Sequence, residues 1–221
     1  MKKLLYFFFA LFATVGVSAC SPSNDPINEP PAEKPEEPVT PDEPNNPVPN
    51  PAKGKTLIVY YSYTNNVHRI VSDLRTQIEA DVIRIEPAEK GLDYAANNHA
   101  IGSAQIQAIR NHPSDASSYP AIDPVEVQFD EYDTIIVAAP LWWSNMAAPL
   151  QTFLFKHGAE MADKRIGLIV SSASSGISAV ESDAKRLIPD GKFLSPSLWI
   201  RSSQTSKCHS MIVEWLKDIG Y

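Results

Sequence analysis

The apolar residues change their pattern twice along the chain. An uncharged run from Leu4 to Val17 follows Met1, Lys2 and Lys3, and the stretch from Ser21 to Gly54 has almost nothing to bury. From Lys55 onward, short apolar runs alternate with apolar residues at helical spacing. Thr56 to Tyr61 is a continuous β-branched and aromatic run, the pattern of a strand buried on both faces. Val67, Ile70, Val71, Leu74 and Ile78 follow with the period of a helix face. Asp81 to Ile85, Thr134 to Ala139 and Arg165 to Val170 predict the second, third and fourth strands. Met146, Ala147, Leu150, Phe153 and Leu154 make a second helical face, with Pro149 tolerable in its first turn.

Further on, Ile177, Val180, Ala184, Leu187 and Ile188 mark another helix. A weaker strand lies near Lys192 to Leu194 and resumes around Leu198 to Ile200. Cys208, Met211, Ile212, Trp215, Leu216 and Ile219 close the chain with an amphipathic helix. The segment from Tyr94 to Asp123 is less regular; one helix is expected over Ala95 to Ile109, then a loop holding Asn111, His112 and Pro113. Strands alternating with helices predict an α/β domain, a parallel sheet covered on both faces. In such sheets ligands bind beyond the carboxyl ends of the strands, where strand order reverses.

The first 54 residues read as address and tether. The 14 residues from Leu4 to Val17 are too few to span a bilayer, which needs about 20, but suit the core of a secretory signal. The run ends in Val17, Ser18, Ala19 and Cys20, which resembles the lipobox of bacterial lipoproteins, where the cysteine becomes the lipidated first residue of the mature protein. Residues 1–19 are therefore expected to be a signal peptide, and Cys20 the lipidation site of a cell-envelope protein on the periplasmic or surface side. An acylated Cys20 would leave Cys208 without a disulfide partner. Residues 20–54 make an acidic linker: 11 of the 19 prolines lie between Ser21 and Gly54, biasing the backbone away from helix and sheet. The folded domain is expected over 55–221.

Charge and motif searches narrow the function. The formal net charge is −7, of which Lys55 to Tyr221 carries −4, so nucleic acid is not the expected partner. Gly54, Lys55 and Thr56 look like the end of a phosphate-binding P-loop, but the glycine required five positions earlier is Pro49 and the triplet precedes the strand. No G-x-S-x-G elbow occurs, which argues against an α/β-hydrolase. His68, His99, His112, His157 and His209 show no metal-ligand spacing.

The loops after the first, third and fourth predicted strands carry the candidate chemistry. Ser62, Tyr63, Thr64, Asn65, Asn66 and Val67 open directly into a helix, whose free amides and neighbouring hydroxyls suit a phosphate. Pro140, Leu141, Trp142, Trp143 and Ser144 place two indoles at a strand end. Ser171 to Gly176 form a hydroxyl-rich loop before another helix. Together they suit a ligand with one phosphate and one flat ring.

In these loops the domain resembles the flavodoxin-like family, in particular its lipoprotein-associated bacterial branch, over residues 55 to 221. The family's first loop typically reads Ser-x-Thr-Gly-Asn-Thr, its second Pro-x-Trp-Trp-Gly and its third Thr-Ser-Gly-Gly-Ser-Gly. The resemblance implies a three-layer sandwich with a five-stranded parallel sheet in the order 2-1-3-4-5. It also implies non-covalent FMN as cofactor, with electron transfer as the role. Ser62, Tyr63, Thr64, Asn65, Asn66 and Val67 would then surround the phosphate. Pro140, Leu141, Trp142, Trp143 and Ser144 would meet the isoalloxazine, and Ser172, Ser174, Ser175 and Gly176 would complete the site. The cofactor carries the redox chemistry in such proteins, so no catalytic side chain and no metal are assigned. The partner is expected to be a protein or a membrane quinone, with the membrane reached through the lipid anchor alone.

This chain departs from the family pattern in all three loops: Asn65, Ser144, Ala173 and Ser174 stand where glycine is usual, and Val67 where threonine is usual. His68 and Arg69, in the first turn of the following helix, would add attraction for a phosphate. The alternative is a flavodoxin-fold lipoprotein that has lost FMN and serves as a binding or interaction module, since fold does not dictate function.

Overall fold

In the computed structural model the described residues are 54–221; the signal peptide, Cys20 and nearly all of the linker expected above lie outside them. Strand β1 (Lys55–Tyr60) leads into helix α1 (Asn66–Leu74), then β2 (Asp81–Arg84) and α2 (Ala96–Asn111). Next come β3 (Tyr132–Trp142), β4 (Asn145–Met146), α3 (Ala148–His157), β5 (Arg165–Ser172) and α4 (Ser178–Leu187). The chain ends with β6 (Lys192–Phe193), β7 (Leu198–Arg201) and α5 (Cys208–Asp218).

The sheet runs in the order β2-β1-β3-β5-β6, and all these neighbours are parallel. This is the expected 2-1-3-4-5 order, with β5 as the fourth predicted strand. The fifth position is divided: β6 pairs with Arg165 and Ile166 at the start of β5, and β7 with Ile169 to Ser172 at its end. The expected break after Leu194 falls at the cis Ser195–Pro196 peptide. Two features were not predicted. β3 runs on to Trp142, and β4 folds back on it antiparallel, pairing Leu141 with Met146 and Trp142 with Asn145.

Alternation along each strand divides the core into two layers. Leu57, Val59 and Tyr61 of the first strand and its exit, with Ile135, Val137 and Ala139 of β3, face α2, α3 and α4. Ile58, Tyr60, Ile136 and Ala138 face the other way, against Val67, Ile70 and Leu74 of α1 and Ile212, Trp215 and Leu216 of α5. Cys208 is buried in that second layer, and burial raises its thiol above the ordinary value. The backbone of Gly167 lies so close to the Trp215 indole that an added Cβ would sit 3.2 Å from Cη2. Each fully buried Leu or Ile contributes about 1.5–3 kcal/mol. These layers fix the carboxyl ends of β1, β3 and β5 side by side, where the three candidate loops emerge.

Candidate functional site

A cavity of about 400 Å³ opens at that edge, lined by residues from all three loops. Thr64 and Asn66 come from the first, Pro140, Leu141, Trp142 and Trp143 from the second, and Ser171, Ser172 and Ala173 from the third. Tyr63 stands at its rim, and Tyr94, His99, Gly102 and Ser202 complete the wall. The volume lies within the roughly 300–1,000 Å³ of small-molecule sites.

The first loop is shaped by a left-handed residue and a buried hydroxyl. Asn65, the residue before α1, has φ 62° and ψ 2°, a conformation that asparagine tolerates better than other residues with a side chain. Ser62 is buried, and its Oγ accepts the His68 N–H at 3.2 Å, so it caps the helix from below and does not line the cavity. The amides of Asn66 and Val67, at the start of the helix, have no acceptor among the described residues. Val67, expected at the site, does not line the cavity: its side chain is packed in the core against the sheet, and only its amide stands among the free donors of the first helical turn. His68 and Arg69 do not line the cavity either. The His68 Nδ1 is hydrogen-bonded to the Tyr60 hydroxyl at 2.7 Å, its ring stacked on the tyrosine.

The aromatic wall is built on the unpredicted hairpin. Trp143 (φ 46°) and Ser144 (φ 69°) are the two central residues of the turn between β3 and β4. Positive φ at both positions is the requirement of the type I′ turn that matches strand twist. This explains why glycine is usual where Ser144 stands. Trp142 is half-buried, edge-on to Tyr61 at 5.6 Å and tilted against Tyr94 at 4.8 Å. Trp143 remains 40% exposed, with its ring against Gly102 of α2. The Tyr61 and Tyr94 phenols are both pushed up by burial, which keeps the wall uncharged near neutral pH.

Tyr63 is held over the rim by Asp93, whose Oδ1 accepts the phenol at 3.0 Å and the Ala95 and Ala96 amides at 2.9 and 3.2 Å. The Ala95 amide, then the Tyr63 hydroxyl, hold the Asp93 carboxyl below its ordinary value. Hydrogen bonding to Asp93 raises the Tyr63 phenol.

In the third loop, Ser172 Oγ donates to the Ser175 carbonyl and accepts from Trp199 Nε1, both at 2.8 Å. Ser202 Oγ donates to the Ser172 carbonyl at 3.2 Å. Ser172 thus reaches the cavity while tying the loop to β7. Ser174, Ser175 and Gly176 are exposed and lie off the cavity wall. Ser174 and Ala173 both have negative φ, so neither position needs glycine for its backbone.

The structure adds wall residues that the sequence did not single out. Tyr94, His99 and Gly102 come from the irregular segment entering α2, where Asn97, Asn98 and His99 all have positive φ. His99 Nδ1 donates to the Tyr94 carbonyl at 3.0 Å, and its ring stands edge-on to Trp143. The Asn97–Asn98 pair beside Tyr94 was the available signal of an irregular turn, but no periodicity connected it to the indoles.

The sequence profile of the flavodoxin family matches residues 55–219. Among solved structures, the chain is similar to a putative flavoprotein from Bacteroides eggerthii at 21% identity and a TM-score of 0.61, covering 76% of this chain and 99% of that one. A putative flavoprotein from Bacteroides uniformis is 24% identical with a TM-score of 0.57, over 75% and 99% of the two chains. A flavoprotein from Lactobacillus acidophilus, solved in complex with FMN, is 20% identical with a TM-score of 0.54, over 70% and 97%. No curated protein matches the sequence.

Proposed function

Because the chain belongs to the flavodoxin family, we propose that it is an exported, lipid-anchored electron-transfer protein that holds FMN non-covalently in the cavity described above. The observation that carries this reading is the meeting, on one cavity, of the start of helix α1 at Asn66, whose amide has no acceptor among the described residues, and a neutral aromatic wall. An anionic phosphate is stabilised by the positive end of a helix dipole and by amide donors without need of a lysine.

The residues present fit the group. Asn66 and Val67 would offer backbone N–H groups to the phosphate, and Thr64 and Asn66 their polar side chains. Trp143 and Tyr94 would hold the ring, with Trp142 as the packed support behind them. Asn65 adopts the left-handed conformation for which its family counterpart uses glycine, and positions 173 and 174 do not call for one. These local geometries favour the flavin reading over the alternative of a binding module. Bound FMN would supply the redox chemistry by accepting and releasing electrons, while the chain orients the ring and limits water at its faces.

The Ala19–Cys20 boundary and the proline-rich linker support export and lipid anchoring. An anchor outside the cytoplasm separates the protein from the soluble nicotinamide pool, which favours a membrane quinone or an envelope protein as redox partner. The test is a visible absorption spectrum of the purified protein after loading with excess FMN and removing what is free. Retained flavin absorption is the expected result; a protein that stays colourless overturns the reading.

A further inference from the structure

The Trp143–Ser144 turn places two L-residues in the left-handed region, a conformation unfavourable for any residue with a Cβ. A turn built this way persists only where its surroundings hold it, and here two separate helices do so. From α2, Arg110 donates through Nη2 to the Trp143 carbonyl and through Nε to Asn145 Oδ1 at 2.7 Å. From α4, Asp183 Oδ2 accepts Asn145 Nδ2 at 2.8 Å and the Met146 amide at 2.9 Å. Asp183 is only 7% exposed, far along the chain from the turn, and is backed by Arg186, whose Nη2 lies 3.4 Å from Oδ1 and 2.9 Å from Gln151 Oε1. Gln151 Nε2 returns to the Met146 carbonyl at 2.7 Å, which closes the circuit on β4.

A buried carboxylate is expensive to desolvate unless its oxygens are paired, and hydrogen bonds to a charged group are worth more than neutral ones. Asp183 spends its Oδ2 entirely on the hairpin. Asn145 is the shared link: its amide nitrogen goes to Asp183 and its amide oxygen to Arg110. Rotating the turn would break both bonds and leave Asp183 Oδ2 with the Met146 amide alone.

We propose that Asp183 and Arg110 are positioning residues for the aromatic wall: acting through Asn145, they lock the Trp143–Ser144 turn so that the Trp143 indole stays against Gly102. That this wall receives a flavin rests on the function proposed above; the locking of the indole does not. Loss of the lock lets Trp143 leave Gly102, so ring binding weakens although no lock residue lines the cavity.

The test uses Asn145→Ala and the exposed Arg110→Ala, with Asp183→Asn as the variant that keeps the shape but removes the charge. Near-ultraviolet circular dichroism of the flavin-free protein, compared with Trp143→Phe, isolates the signal of the held indole. Melting temperature is followed in parallel, and FMN affinity is measured by titration. The expected result is loss of most of the Trp143 signal in Arg110→Ala and Asn145→Ala while cooperative melting is kept. FMN affinity should fall about tenfold, the scale of one charge-assisted hydrogen bond. An unchanged Trp143 signal in both variants overturns the proposal, as does a lost signal with unchanged FMN affinity. If the parent protein binds no FMN, the function proposed above fails, and the indole signal alone still decides whether the lock exists.

Discussion

The indole of Trp143 lies against Gly102 so closely that a Cβ added to the glycine would sit 2.9 Å from Cζ3. Gly102 is buried inside α2, where alanine would normally favour the helix by about 1 kcal/mol. Gly102→Ala is therefore expected to change stability by no more than about 1 kcal/mol while displacing the indole. Tryptophan emission should shift and FMN affinity should fall, read by fluorescence and by titration on the same sample.

The two tryptophans should separate experimentally. Trp142 packs on Tyr61 and Tyr94, so Trp142→Ala should destabilise the fold by about 2–3 kcal/mol in urea unfolding. Trp143 is largely at the rim, so Trp143→Ala should leave stability within about 1 kcal/mol but weaken ring binding.

Ser144 at φ 69° stands where a residue without Cβ would be unstrained. Ser144→Gly is expected to stabilise the protein by about 0.5–1 kcal/mol, the relief of the left-handed strain less the added freedom of the unfolded chain. Asn65→Ala runs the other way, losing about 1 kcal/mol because asparagine is the better left-handed residue. Both are read as midpoint changes in urea.

The clasp between Tyr63 and Asp93 gives a pH dependence. The Asp93 carboxyl is held below its ordinary value of 3.8, so its contribution is complete above that value and is lost as pH falls through the depressed folded value. Tyr63 ring resonances should therefore be constant from neutral pH down to about 4 and move only in more acid solution. Asp93→Asn should loosen the ring at all pH values.

Replacing Cys20 tests the proposed anchor. Cys20→Ser should move the protein from the membrane fraction to the soluble fraction, since stable anchoring takes about two acyl chains.

The long apolar strands and the spaced helix faces made the sheet and its order readable from the sequence, because burial on two faces leaves continuous runs such as Leu57 to Tyr61. The hairpin was not readable. β4 has only two residues, too few for any periodicity, and its turn uses Trp143 and Ser144 where the usual signal is Asn-Gly. The contact of Asp183 with Asn145 and that of Gly102 with Trp143 join distant segments, and neither leaves a local pattern. Thr64, Asn66 and the two indoles, all singled out from the loop sequences, line one cavity. The side chains of Val67 and His68 lie off the cavity, because core burial and the Tyr60 hydroxyl claimed them.

The most direct measurement is a fluorescence titration of the purified protein with FMN, with riboflavin titrated alongside it. The account predicts saturable quenching at one flavin per chain, with a dissociation constant of roughly micromolar or below and riboflavin at least about tenfold weaker for want of its phosphate. Flavin fluorescence that stays unquenched up to about 100 μM would contradict it.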